Sequence, residues 1–534
     1  MSESQKKIAL FIPLFVGIAL ALGYYLGTQQ NPLQVNKEEK QNLLKLNSVL
    51  NYIDKNYVDE VDKNSMVEKS LANILKSLDP HSSYIPAKNL EDVNRELKGS
   101  FGGVGIRFMI YKDTLVVTNV IKGGPSNAAG IKPGDRIVAV DNENIAGVKI
   151  NTDKVLKMLK GSMGTKVEVD ILRFNDPIKK EIEIRRGNIP INSINASFML
   201  NNTTGYIKLE QFGAPTYSEF MQASKRLLAR GMKRLVFDLR NNGGGYLGTA
   251  IQIVDEMVKP GSPIVHTKGR ARGKEEEFAR VNGILQDIEI VVIINQSSAS
   301  ASEIVSGAIQ DNDRGVIIGR RSFGKGLVQE QKELEDGSAF RLTIARYYTP
   351  TGRSIQKPYG DETDYDSEVY NRYENGEFYA MDSSLMVDSL KYYTLNKKRL
   401  VYGGGGIMPD IFIPLDTTET SPFLSQMRYY RVMDKYVFNY LDYNRAKLLE
   451  MYPDYEAFGK GFIVEEDEFN KIIDFSEKQG VFRNEEDIQH SKNLIIHDFK
   501  SDLARHLYDL EAYHYIGTEI DTEIQQAIKL EIDL

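Results

Sequence analysis

Four serines crowd the end of one very apolar run. Residues 289–295 read Glu-Ile-Val-Val-Ile-Ile-Asn. Gln296, Ser297, Ser298, Ala299, Ser300, Ala301, Ser302 and Glu303 follow, and then a helical pattern begins. A serine at a strand-to-helix junction sits where free backbone N–H groups and the helix dipole favour negative charge. A tetrahedral oxyanion could be held there. The hydroxyl is a weak nucleophile until a base takes its proton. Histidine is the usual base, and the chain has six. His81 lies in an N-terminal helical part, His266 in a strand-like stretch, and His490, His497, His506 and His514 towards the C-terminus. None adjoins a motif, so a Ser-His-Asp triad is not expected. A desolvated lysine can substitute, because burial disfavours the ammonium and draws its pKa towards roughly 7–8. Lys325 is the candidate, beside Phe323 and between Gly324 and Gly326. Gln329, one helical turn or four strand positions on, could steady its amine by a hydrogen bond.

Two glycine patterns need weighing. Gly319 to Lys325 has the G-x-x-x-x-G-K spacing of a phosphate-binding loop. The magnesium-ligating Ser or Thr should come next, but Gly326 stands there, and Leu327-Val328-Gln329-Glu330 reads as extended rather than helical. A nucleotide site is therefore not expected. Asp238 to Gly245 reads Asp-Leu-Arg-Asn-Asn-Gly-Gly-Gly directly after a buried-strand pattern. Its glycines would let backbone N–H groups approach a ligand closely. Taken alone, the run reads as a mere tight loop.

The elements that must position these residues are legible as periodicity. Gly205–Leu209, Arg234–Leu239, Glu289–Asn295 and Gly315–Gly319 read as strands. Thr216–Arg230 and Ser300–Gln310 read as helices, and the alternation implies a layered α/β domain. Residues 97–186 change character. Short β-type runs such as Leu115-Val116-Val117 and Ile137–Val140 alternate with glycine turns, with one helix over Thr152–Leu159. Lys37–Leu78 has helical spacing, stopped at Asp79-Pro80. Residues beyond about 416 are charged and helical in pattern. Tyr359–Ser384 is acidic, Tyr-rich and reads as a loop or insertion.

Together these stretches resemble the C-terminal (tail-specific) processing peptidases. The resemblance is carried by Phe237–Gly245, Ser298–Glu303 with Gly307, Gln310 and Asp311, Phe323–Gln329, Tyr347–Gln356 and Gly405-Ile407-Pro409-Asp410, in that order. It implies Ser300 as nucleophile, Lys325 as base, Gln329 as its orienting partner, and backbone N–H groups of Ala301 and Gly245 as the oxyanion hole. Ser297, Ser298 and Ser302 then read as local hydrogen-bonders. The β-rich module resembles a PDZ domain through Ala128–Asp135 and through Phe101-Gly102-Gly103-Val104-Gly105-Ile106. The backbone of Gly102, Gly103, Val104, Gly105 and Ile106 would receive a peptide's terminal carboxylate while the peptide adds a strand. Lys160 stands where the family often has arginine, and lysine lacks the bidentate fork.

Bulk properties narrow the remainder. A net charge of −7 and pI near 5.7 argue against nucleic-acid binding. Without cysteine there is neither disulfide nor thiolate chemistry. Lys6 and Lys7 precede an uncharged apolar run, Ile8–Gly27, of the length a bilayer-spanning helix needs. The expected organisation is an anchor or signal segment (1–30), a helical region (31–96), a PDZ domain (97–186), an α/β serine peptidase core of the crotonase/Clp-protease type (187–415) and a helical extension (416–534). The expected protein is an exported Ser/Lys endopeptidase on the cytoplasmic membrane, facing the periplasm. It would act on proteins with free C-termini, need no cofactor or metal, and self-associate through its helical ends. The alternative is a catalytically inactive PDZ scaffold.

Overall fold

The computed structural model describes residues 37–174, 176–360, 364–381 and 386–531. The apolar run Ile8–Gly27 lies outside them. Among the described residues no helix is long and apolar enough to cross a membrane. The chain divides into two units, residues 1–74 and 75–534. Helix Lys37–Asn56 belongs to the first, which also holds the start of helix Lys63–Lys76.

The centre of the second unit is a six-stranded sheet ordered Ile194–Met199, Thr204–Leu209, Arg234–Asp238, Glu289–Ile294, Val316–Gly319 and Ile411–Phe412. The first pair is antiparallel and the rest are parallel. Strands buried on both faces read as unbroken Val/Ile runs, which is why Glu289–Ile294 carries no polar alternation. Side chains of alternate residues leave opposite faces. Ile207, Phe237 and Val292 pack on helices Thr216–Ala229, Leu247–Asp255 and Ala301–Asp311. Tyr206, Val236, Val291 and Ile293 pack on the other face against Ile524 and Ala527. Those two belong to helix Thr522–Lys529. Arg234 fastens this helix by donating to the carbonyls of Ala527 (3.2 Å) and Ile528 (3.0 Å). The stretch beyond 416 thus has two parts. Helices between Pro422 and Gly517 surround their own core of Phe423, Val437, Phe469, Phe499 and Leu503, while the last helix is a layer of the α/β domain.

A second sheet stands beside this one. Ser83–Ile85, Pro263–Lys268 and Leu327–Glu333 all pair with the long strand Ala339–Tyr348. Residues from the N-terminal side of the β-rich module therefore meet residues from far beyond it.

The β-rich module is an antiparallel sheet ordered Ile106–Tyr111, Thr114–Val120, Arg136–Val140, Lys166–Arg173 and Asp176–Arg185. Helix Thr152–Leu159 closes its core of Leu115, Val117, Ile137, Val155 and Val169. Its stem is a strand pair, Ser100–Gly103 with Gly187–Pro190. Helix Val432–Met451 docks against its side: Arg136 pairs with Asp442 (3.1 Å), Asn439 donates to the Tyr111 hydroxyl (3.0 Å), and Phe174 meets Tyr443 edge-on.

The acidic Tyr-rich stretch is not a plain loop. It contains helix Glu368–Glu374, and Glu368 and Glu377 bind buried cations. Glu377 binds Arg321 (2.6 Å) and Arg372 (2.8 Å), and Arg372 donates to the carbonyls of Arg321 and Ser322. Glu377 thus answers Arg321, which lies outside the stretch, and Arg372 within it, pairings that the acidic composition, read as a loop or insertion, does not show.

Candidate active site

Ser300 is the N-cap of helix Ala301–Asp311 and has φ 55° and ψ −112°. A non-glycine residue held there costs about 1–3 kcal/mol and persists only where its surroundings over-determine it. Here they do. The Ser300 N–H donates to the Glu303 carboxylate (2.8 Å), and its carbonyl lies 3.0 Å from the Tyr347 hydroxyl.

Glu303 is wholly buried and joins two loops. Its Oε2 accepts the N–H of both Ser300 (2.8 Å) and Lys325 (2.9 Å). Its Oε1 accepts the N–H of Gly324 (2.7 Å) and the hydroxyl of Ser322 (2.6 Å). The backbones of Ser300 and Lys325 thus share one carboxylate oxygen. Burial pushes the Glu303 carboxyl up, and the four donors oppose it. We take the group as ionised, since those donors saturate an acceptor-only carboxylate. Tyr347 bridges the same loops, its hydroxyl 2.6 Å from the Lys325 carbonyl. Gly324 has φ +90°, and a Cβ there would lie 3.1 Å from both the Gly406 nitrogen and Lys357 Cβ.

The Lys325 amine is half-buried and donates to the Gln329 side-chain oxygen (3.1 Å). Gln329 is held in turn, its amide donating to the His81 carbonyl (2.6 Å). Burial, aided by the Arg341 guanidinium, pushes the Lys325 amine below the ordinary lysine range. No histidine adjoins the motifs along the chain, but the fold brings one to them in space. His81 arrives through the Ser83–Ile85 strand pairing, and its ring bonds the Tyr365 hydroxyl (2.7 Å). Burial and the nearby Lys325 charge lower the His81 imidazole to about 4, so it is neutral at physiological pH.

The glycine run lies against the Ser300 turn. A Cβ on Gly244 would come within 2.8 Å of Ser300 Cβ and 3.0 Å of the Ala301 nitrogen. The Asn242 carbonyl accepts the N–H of Ala299 (3.0 Å) and the hydroxyl of Ser302 (2.9 Å), riveting loop to turn. The Gly244 amide is engaged by Asn242 Oδ1 (2.9 Å). Among the described residues, the amides of Gly245 and Ala301 donate to no protein acceptor. The site therefore offers a hydroxyl, an amine of lowered basicity and two open backbone donors. That set suits acyl transfer.

Ser298 and Ser302 are buried and bonded to the Leu239 and Asn242 carbonyls. The loop that resembles a phosphate-binding motif runs into strand Leu327–Glu333, not a helix. In the β-rich module, Gly102 and Gly103 belong to the stem and Ile106 opens strand Ile106–Tyr111, leaving Val104 and Gly105 as the loop proper. The Val104 and Gly105 carbonyls are taken by the N–H of Ser126 (2.9 Å) and Ile121 (3.0 Å). Strand Ile106–Tyr111 is the sheet's edge and faces a cleft of about 1200 Å³ shared with the α/β domain and the C-terminal helices. Sequence reading assigned no task to Glu303, Tyr347 or His81. Only Glu303 had a local signal, the Ser-x-x-Glu spacing of a helix start.

Residues 203–369 match Peptidase family S41, residues 116–173 match the PDZ domain, and residues 423–509 match a family of unknown function. The carboxy-terminal-processing protease of Bartonella bacilliformis is 34% identical over 356 residues, covering 66% of this chain and 80% of that protein. The "Probable CtpA-like serine protease" of Staphylococcus aureus is 29% identical over 368 residues, covering 66% of this chain and 72% of that one. Among solved structures, the photosystem II D1 C-terminal processing protease aligns over 59% of this chain and 83% of its own, at 29% identity and a TM-score of 0.34. The peptide-bound PDZ domain of a Vibrio cholerae carboxy-terminal protease aligns over 17% of this chain and 97% of its own, at 27% identity and a TM-score of 0.16.

Proposed function

This chain belongs to peptidase family S41, as a serine-type peptidase of the carboxy-terminal-processing kind with a PDZ domain, and from that premise we propose a Ser300/Lys325 dyad acting on proteins recognised by their C-terminal tails. One observation carries the dyad reading. A single Glu303 oxygen accepts both backbone amides, which holds the half-buried Lys325 loop against the strained Ser300 turn. The neutral Lys325 amine takes the Ser300 hydroxyl proton as Oγ attacks the scissile carbonyl carbon. The oxyanion forms between the open amides of Ala301 and Gly245. Collapse breaks the C–N bond, and the Lys325 ammonium protonates the leaving amine. Water, deprotonated by the same amine, then attacks the acyl ester, and the resulting Lys325 ammonium protonates Ser300 Oγ as the ester C–O bond breaks, which restores both groups. Gln329 keeps the amine aimed through both halves.

The PDZ domain would take the substrate's carboxylate at Gly102–Ile106, with its tail as an added strand on Ile106–Tyr111. The facing cleft and the docked helix Val432–Met451 support a gating role for this domain. We extend the family resemblance to a crotonase/Clp-type core, and the apolar run 8–27 to a membrane anchor with the rest of the chain exported to the periplasm.

The test is cleavage of an unfolded protein with an apolar, free C-terminus by the full chain and its Ser300→Ala and Lys325→Ala variants. Cleavage lost in both variants is the expected result. Full activity in Lys325→Ala would remove the dyad. A C-terminally amidated substrate cut as fast as the free acid would remove the carboxylate reading.

A further inference from the structure

Beneath the glycine run lies a buried ionic cluster that the reaction above does not use. Asp238, Asp521 and Glu523 face Lys208, Arg240 and Arg320, so acids and bases balance. Arg240 binds Asp238 (2.5 Å) within its own loop and Asp521 (2.8 Å) and Glu523 across the interface. The second Glu523 oxygen accepts from Arg320 (2.6 Å). Tyr206 also donates to Asp238 (2.8 Å), and Lys208 donates to the Arg240 carbonyl. The two carboxylates come from the N-cap and first turn of the chain's last described helix, which packs on the sheet's far face.

The placement of the two arginines gives the cluster a direction. Arg240 leads directly into Asn241–Gly245, whose Asn242 carbonyl holds Ala299 and Ser302 on either side of Ser300. Arg320 leads into Ser322–Lys325, the loop held by Glu303. Glu303 ties the Ser300 turn to the Ser322–Lys325 loop on the reaction side, and Glu523 ties the roots of the glycine loop and of the Ser322–Lys325 loop on the opposite side.

We propose that Glu523, supported by Asp521, is a positioning residue for the peptidase reaction: it bridges Arg240 and Arg320 and thereby sets the Gly245 amide relative to Ser300. Helix Thr522–Lys529 is then part of the active-site machinery. Removing the Glu523 charge takes away the one carboxylate that Arg240 and Arg320 share: Arg240 keeps Asp238 and Asp521, Arg320 loses this ion pair, and the bridge between the two loop roots is broken. The loop they root then shifts. A displacement of about 1 Å in a catalytic group costs up to roughly 10²-fold in rate. This inference rests on the dyad reading for its effect on rate, but not for its effect on the loop.

The experiment compares the full chain with Glu523→Gln, Arg320→Gln and Ile524→Val. The last is a packing control on the same helix. Melting temperature, kcat, KM and amide exchange over Asn241–Tyr246 are read in each. Glu523→Gln is expected to lower kcat by roughly 10–100-fold, to leave KM unchanged and to speed exchange in that loop. Arg320→Gln, which breaks the bridge from its other end, should do the same, and Ile524→Val should lower only the melting temperature. Should Glu523→Gln fail to fold, Glu523→Asp and Arg320→Gln carry the same comparison. Parental kcat with unchanged exchange overturns the proposal. So does a kcat loss that Ile524→Val reproduces at the same melting temperature. Cleavage surviving in Ser300→Ala would overturn the dyad instead, and loop exchange would still decide the role of Glu523.

Discussion

Lys325 can act as a base only in its neutral form, so its surroundings decide the acid limb of the pH profile. Burial and Arg341 lower its pKa, whereas Glu303 and Asp79 raise it. The neutral fraction grows as pH rises through the lowered value, and activity should rise with it. Stability moves the same way. Between the folded and unfolded values the unfolded chain holds the extra proton, so stability increases with pH across that window. Arg341→Gln removes a neighbouring positive charge, raises the Lys325 pKa and should shift the acid limb of kcat/KM to higher pH. A limb that stays put or moves to lower pH would mean another group titrates there. His81 permits a second residue-scale test. Its backbone carbonyl, not its ring, holds Gln329, and its ring is neutral and occupied by Tyr365. His81→Ala should stay within about tenfold of the parent, well short of the roughly 10²–10⁴-fold loss expected on removing a general base. A loss as deep as that of Lys325→Ala would make the imidazole the base.

From its own residues the glycine run could be located but not interpreted, and an oxyanion role for Gly245 came only with the family resemblance. Three glycines after a buried strand mark a tight loop in any protein. What distinguishes this one is the company its backbone keeps. Gly245 has φ +146°, and a Cβ there would stand 2.2 Å from the Phe212 carbonyl oxygen. Phe212 is a backbone neighbour in a β-bridge, so it cannot simply rotate away. Gly245→Ala should therefore lower kcat by roughly 10²–10³-fold, as loss of an oxyanion donor does, with about 1–3 kcal/mol of backbone strain. Steady-state kinetics and thermal unfolding on the purified variant check both. Normal turnover would show that this amide is not a donor to the reaction. The helix that follows Ser300 is the opposite case. Its apolar pattern was plain in sequence, and every residue from Ala301 to Asp311 is buried.

Across the whole molecule the C-terminal helices touch both ends of the proposed mechanism. One of them grips the PDZ domain through Asp442 and Arg136, and the last packs under the catalytic sheet. Asp442 is nearly buried, so the pair is more than a surface contact. Asp442→Ala should loosen the PDZ domain. We expect faster amide exchange along Ile106–Tyr111 and roughly 2–30-fold weaker discrimination between free and amidated substrate C-termini, the range of typical inter-site coupling. Unchanged discrimination would make that contact mere packing. Self-association through the helical ends is separately open to test. Leu43, Leu44, Leu46 and Val49 are exposed on helix Lys37–Asn56, and light scattering should find more than a monomer at micromolar concentration.

The sequence by itself determined the chemistry available: a serine at a strand-to-helix junction, a lysine between glycines, a glycine loop after a buried strand, and no cysteine. These are local facts, fixed by residue type and by periods of two or 3.6. It also determined the PDZ module and the alternating core, because hydrophobic periodicity is written residue by residue. Only the tertiary structure decided which groups serve those residues. The Glu303 oxygen shared by two loops, Tyr347 across them, the His81 carbonyl behind Gln329 and the Glu523 bridge are all long-range pairings. Such pairings follow from which strands lie side by side and which helix returns to which face. A buried acid seeks a buried base wherever the fold brings one, and spacing along the chain carries no record of that choice.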